Sequence, residues 1–80
     1  MYTITFRNPV RSDIDDVIDG ISPMGSAVLR GDRNDLEGLL SRVALVEAIL
    51  GRPVTGGAIT WTSGPRVLVA DLETVRRAAL

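Results

Sequence analysis

Residues 35–50, within NDLEGLLSRVALVEAILG, place apolar side chains on two sides of one helix, in a chain of only 80 residues. At roughly 100° per residue, Leu36, Leu39, Leu40, Val43, Val46 and Leu50 form one continuous stripe. Leu45 and Ile49 fall on or near the opposite side, flanked by Ala44 and Ala48. Glu47 projects inside the main stripe, between Leu40 and Val43 on the helical wheel. A helix that is apolar on two sides is buried on two sides. One small sheet can cover the first side only, so the second calls for a partner surface.

Length and composition narrow the remaining choices. Eighty residues make one domain, 1–80, and such a chain buries only somewhat more than about 60% of its unfolded surface. No stretch reaches the roughly 20 apolar residues of a membrane span, and MYTITFRN lacks a basic region followed by an apolar run. A soluble, cytoplasmic protein without membrane contact is expected. Cysteine and histidine are absent, which excludes disulfides and thiolate or imidazole metal sites. Without His, Cys or Lys, nothing can activate Ser12, Ser22, Ser26, Ser41 or Ser63 as a nucleophile. The expectation is a non-enzymatic protein with no cofactor, no metal and no small-molecule substrate.

Every basic residue is arginine, the side chain suited to bidentate carboxylate or phosphate contacts. The same bias, beside abundant Ala, Gly, Val and Asp, is what a GC-rich bacterial or phage genome produces. A net charge of −1 and a pI near 5.2 argue against a general nucleic-acid binder.

Along the chain, Tyr2, Ile4 and Phe6 alternate with Thr3, Thr5 and Arg7, the pattern of a half-buried strand ended by Pro9. Ser12 and Asp15 have capping-box spacing, and Ile14, Val17, Ile18 and Ile21 supply a short helical face that Gly20 and Pro23 stop. Residues 22–33 read as loop, with a short edge strand at 27–30 as the alternative. Asn34 is the expected cap of the long helix, with Glu37 at its third position, and Gly51 and Pro53 close it. Residues 58–62 and 66–70 flank Ser63-Gly64-Pro65 and make a hairpin, with Ile59 and Trp61 on one face and Thr60 and Thr62 on the other. Asp71 caps a last helix built on Leu72, Val75 and Ala79, where Arg76 and Arg77 suit the C-terminal dipole. The predicted fold is a two-layer α+β domain: a three- or four-stranded, largely antiparallel sheet with two or three helices on one face.

Several motifs reduce to ordinary structure. Asp13, Asp15, Asp16 and Asp19 lack the glycine and terminal glutamate of a calcium loop, and three of them stand where a helix dipole favours negative charge. Leu36 occupies an oxygen-ligand position in the sequence Asp32-Arg33-Asn34-Asp35-Leu36, so that run fails as well. Gly51 and Gly56 have phosphate-loop spacing, but Gly57 and Ala58 stand where Lys and Ser/Thr would hold phosphate and magnesium. Glu47 is different. An ionised carboxylate in an apolar contact costs several kcal/mol unless paired, on the order of the buried-charge penalty. Arg7, Arg30 or Arg66 could reach it from the sheet, with Arg66 the candidate for a buried ion pair. The alternative is a glutamate at the margin of the stripe that reaches past Leu40 into water. Trp61 reads as core, or else as an interface anchor.

The opening MYTITFRNPVRSDIDDVIDGI resembles the start of RelE/ParE-type toxins, which begin with one strand and an Asp-rich amphipathic helix. That likeness covers about a quarter of the chain and implies an effector acting on RNA or a nucleic-acid enzyme through Arg7, Arg30, Arg52 and Arg66. Those toxins end in several basic strands, whereas this chain ends in a helix. From residue 35 onward the order helix, hairpin, helix is similar to small phage head–tail joining proteins. The leading expectation is a protein–protein interaction or assembly module. It would self-associate, or dock on a larger host protein, through Leu45, Ile49 and Trp61, with Arg42 at the rim. A toxin-like effector and a small dimeric regulator or antitoxin are the alternatives.

Overall fold

The computed structural model describes residues 1–7, 14–32 and 35–78. Its elements follow the order β1 (Tyr2–Arg7), β2 (Gly20–Ile21), β3 (Ser26–Gly31), α1 (Leu36–Leu50), β4 (Ala58–Ser63), β5 (Arg66–Asp71) and α2 (Leu72–Ala78). The strands form one antiparallel sheet in the order β2-β3-β1-β4-β5. The alternating strand read at the N-terminus therefore occupies the centre. Register sets Ile4 opposite Leu29 on one side and Ile59 on the other. These side chains define the inner face. Leu39, Val43 and Val46 of α1 and Leu72 of α2 pack against it, all almost fully buried. Each such burial is worth roughly 1.5–3 kcal/mol.

Local chemistry explains the ends of the elements. The Asp35 carboxylate accepts the Gly38 N–H at 3.1 Å and caps α1. Gly51 takes the left-handed conformation at φ 72°, and its N–H donates to the Glu47 carbonyl at 2.8 Å. Gly64 has φ 60° in the two-residue turn between β4 and β5, where a side chain would be strained, and Pro65 completes that turn. Asp71 caps α2 by accepting the Thr74 N–H at 3.1 Å and its hydroxyl at 3.3 Å.

Several expectations need correction. The sheet has five strands, not three or four, because residues 20–31 add both β2 and β3. The strand expected at an edge over 27–30 is internal, lying between β2 and β1. The helix expected up to Ile21 does not continue past Ile14, which is 3₁₀-helical, into residues 15–21. One turn forms there, with Val17 and Ile18 N–H groups donating to the Ile14 carbonyl at 2.9 and 3.2 Å. The Asp19 N–H then bonds to the Val28 carbonyl at 2.8 Å, and the chain enters β2. Ile14 is buried and Val17 and Ile18 pack on the core, so the apolar spacing is satisfied by a turn followed by sheet pairing. The Asp-rich helix implied by the toxin likeness is correspondingly missing over these positions. Pro9, Ser12, Asp13, Asn34 and Ala79 lie outside the described residues, and the cap expected from Asn34 is instead Asp35. No helix among the described residues is long and apolar enough to cross a membrane.

Candidate functional site

Glu47 does have a cationic partner, and it is Arg76 rather than Arg66. Two parallel bonds join them: Arg76 Nη2 donates to Glu47 Oε1 at 2.6 Å and Nη1 to Oε2 at 3.0 Å. The Val54 N–H donates to Oε2 at 2.9 Å. One carboxylate thus ties α1, α2 and the loop before β4. Only 15% of the Glu47 side chain is exposed. The Arg76 bonds hold its carboxyl below the usual range, against the opposing effect of burial, with help from the Val54 N–H. Arg76 is shifted upward by the same pairing. An anchored, ionised glutamate of this kind is a structural clasp. Arg66 lies exposed at the start of β5.

Arg42 forms a second clasp on the other flank, instead of standing free at a rim. Its Nη2 donates to the Val17 carbonyl at 2.6 Å, and its Nη1 reaches the Arg30 carbonyl and Asp19 Oδ2, both at 3.2 Å. Asp19 Oδ2 also accepts the Arg30 N–H at 2.6 Å. That backbone bond, and then Arg42, hold the Asp19 carboxyl below its ordinary value. Asp19 is therefore engaged within the fold, while Asp15 and Asp16 are exposed.

The remaining candidates part company. Leu45 stays 51% exposed on the outer side of α1, between exposed Ala44 and Ala48. Ile49 is partly buried against the core instead. Trp61 packs at the rim of the inner face, with its ring centroid 6.1 Å from that of Tyr2. By helical spacing Arg42, Leu45 and Ile49 share one side of α1, where Leu45 is the exposed member, while Trp61 belongs to β4. Of the four arginines implied by the toxin likeness, Arg7 and Arg52 share a groove of about 250 Å³ with Leu50, Pro53, Val54 and Thr55. Arg30 and Arg66 belong to β3 and β5.

Among the described residues, the exposed large apolar side chains include Met1, Ile21, Met24 and Leu45, and two more stand together on β5, the last strand of the sheet. Val67 and Val69 are 65% and 66% exposed on the outer face, beside Thr62 and Thr60 of β4. The Gly64–Pro65 turn makes Ser63–Arg66 the first hydrogen-bonded pair of the hairpin. By alternation, Val67, Val69 and Asp71 then direct their backbone N–H and C=O groups at the open edge. The sequence contains a signal for this surface that the long helix overshadows. VLVA is apolar at four successive positions, so a strand made from it is apolar on both faces.

Comparison of the chain with protein-family models, curated proteins and solved structures returns no match.

Proposed function

We propose that this chain is a non-enzymatic protein–protein association module whose docking element is the open edge of β5. One observation carries the reading: two adjacent outward valines, each about two-thirds exposed, stand on a six-residue edge strand. An edge of that length is a template for pairing with another strand. Soluble proteins blunt such edges with lysine, inward charges, proline or bulges. Here the charges Arg66 and Asp71 stand only at the two ends of the strand. Leu45 on α1 supports a smaller second contact, since a singly exposed leucine is ordinary on a protein surface.

Sedimentation of the wild type and a V67K/V69K variant, alone and in extract of the producing cell, tests this. The wild type should migrate as a species heavier than one chain in at least one of those conditions, and the variant as a monomer in both. Monomeric migration of the wild type in both conditions overturns the reading.

A second reading is favoured by the Arg7–Arg52 groove, which brings two arginines together with apolar Leu50 and Val54. In that reading the chain is an effector that binds a phosphate or carboxylate there. Titration with inorganic phosphate should perturb Arg7 and Arg52 resonances in the wild type, and an R7Q/R52Q variant should be silent. Absence of perturbation in the wild type removes it.

A further inference from the structure

We infer that the occupant of the β5 edge is a second copy of this chain, paired antiparallel about a two-fold axis that passes beside Leu68. The inference rests on the association reading above and names its partner and register. A two-fold axis through a strand edge pairs each residue with another on the same face, so the register can take only alternate values. With the axis beside Leu68 or Val69 most of the strand stays paired, and with the axis beside Val67 only half of it does. With the axis beside Val67, Val69 falls opposite the mate's Pro65, which has no N–H to give. With the axis beside Val69, Val67 falls opposite the mate's Asp71 carboxylate. With the axis beside Leu68, Val67 meets the mate's Val69, and the symmetric pair repeats it. All four exposed valines are then covered by one another.

The backbone agrees with that register. Val67 and Val69 both direct their polar groups outward, so they can exchange two hydrogen bonds as a narrow pair. Leu68 uses its own backbone bonds on β4, and two Leu68 residues would form the close pair without hydrogen bonds between them. Charge points the same way. Arg66 opens the strand on the inner face and Asp71 closes it on the outer face, so parallel pairing would bring like charges together on each face, and antiparallel pairing keeps them apart. Arg66 would lie across from the mate's Ala70, one residue from its Asp71. The product is a continuous ten-stranded sheet whose helices all lie on one side.

The chain has no cysteine, so a single introduced thiol reports one position without background. Leu68→Cys, Val67→Cys and Val69→Cys are compared under mild oxidation, together with Leu45→Cys on α1. A close pair without interstrand hydrogen bonds has Cα atoms about 4.5 Å apart, within disulfide range. The Leu68→Cys variant should give a covalent dimer fastest. Faster capture at 67 or 69 overturns the register, and capture at 45 alone overturns the edge while leaving an association module standing. Leu68 is partly buried, so the unaltered chain supplies the second measurement. Light scattering on the purified wild type should show a dimer. Its Val67 and Val69 amides should exchange more slowly with deuterium as concentration rises. V67K/V69K should raise the dimer dissociation constant by on the order of a hundredfold, since it sets ammonium groups directly opposite one another. A purified chain that stays monomeric with fast Val67 and Val69 exchange overturns self-pairing. If extract still shifts its sedimentation, the broader reading survives with a different partner.

Discussion

The two edges of the sheet solve the same problem in opposite ways. At one edge, β2 is only two residues long, and the chain leaves it through Ser22 and Pro23. Brevity protects it, because a two-residue ladder offers another strand almost nothing to pair with. Ile21 within it is 56% exposed, on a strand too short to be extended. At the other edge, β5 presents six residues, with Val67 and Val69 uncovered. Each flank is also tied to α1 by an arginine. Arg42 spreads its bonds over Asp19 and two carbonyls at a half-exposed site, whereas Arg76 meets Glu47 as a planar fork in a more buried one. The flank with the stronger internal clasp is the one whose edge is left open. A firmly held strand is preorganised for pairing, since little ordering entropy remains to be lost on contact.

The first way to break this comparison is at the core, where the flanks should not differ. Ile14→Ala on the β2 flank and Leu72→Ala on the β5 flank each remove a nearly fully buried side chain. Each should cost about 2–5 kcal/mol in denaturant unfolding. A loss near zero for either would show that its flank is not part of one cooperative core.

The clasps should separate the flanks next. Glu47→Ala leaves Arg76 and the Val54 N–H without their acceptor and should cost on the order of 2–3 kcal/mol. Arg42→Ala acts at a more exposed site and should cost about 1 kcal/mol or less. Equal losses would erase the distinction between the two.

Acid titration sharpens the same contrast. Glu47 is held below its ordinary carboxyl value by Arg76. Its contribution is therefore fully present above the unfolded value of about 4.3 and lost as pH falls through the lower folded one. Wild-type stability should decline below about pH 4–5, and Glu47→Gln should decline less steeply over that window. Asp19, lowered first by the Arg30 N–H and then by Arg42, loses its contribution in the same direction. Denaturant midpoints from neutral to acid pH measure both, and a Glu47→Gln profile parallel to wild type would refute the assignment.

The smallest stability effects belong to the edges themselves. Val69→Lys and Ile21→Lys both alter exposed positions and should each shift stability by no more than about 0.5 kcal/mol. Their effect on association should differ completely. Ile21→Lys should leave the heavier species intact in sedimentation, and Val69→Lys should weaken it, by less than V67K/V69K does. If the two substitutions weaken association equally, the asymmetry between the edges has no functional content.

How much of this was legible depended on sequence distance. The span of α1, its glycine stop, the hairpin and the Asp71 cap are written in neighbouring residues, because turn and cap chemistry acts over a few positions. The segment 14–21 misled, since its i, i+3, i+4 spacing fits a helix as well as a turn. The deciding bond, from the Asp19 N–H to the Val28 carbonyl, comes from a strand that the pattern showed only faintly. Arg76 lies 29 residues from Glu47, and Arg42 lies 23 from Asp19. Periodicity showed that Glu47 needed a cation, and nothing local distinguished Arg76 from Arg66.

By itself, then, the sequence determined an α+β domain with one dominant helix, a C-terminal hairpin and a carboxylate in need of a partner. These follow from apolar periodicity, turn residues and the cost of an unpaired charge, which are properties of short stretches of chain. Tertiary structure alone decided the fifth strand, the pairing of both clasps and which surface stayed uncovered. Strand order determines which element becomes an edge, and an edge is defined by what fails to lie next to it in space. The excess apolar surface expected on the outer side of α1 is reduced to Leu45, because Ile49 reaches the core, while Val67 and Val69 stand uncovered on β5.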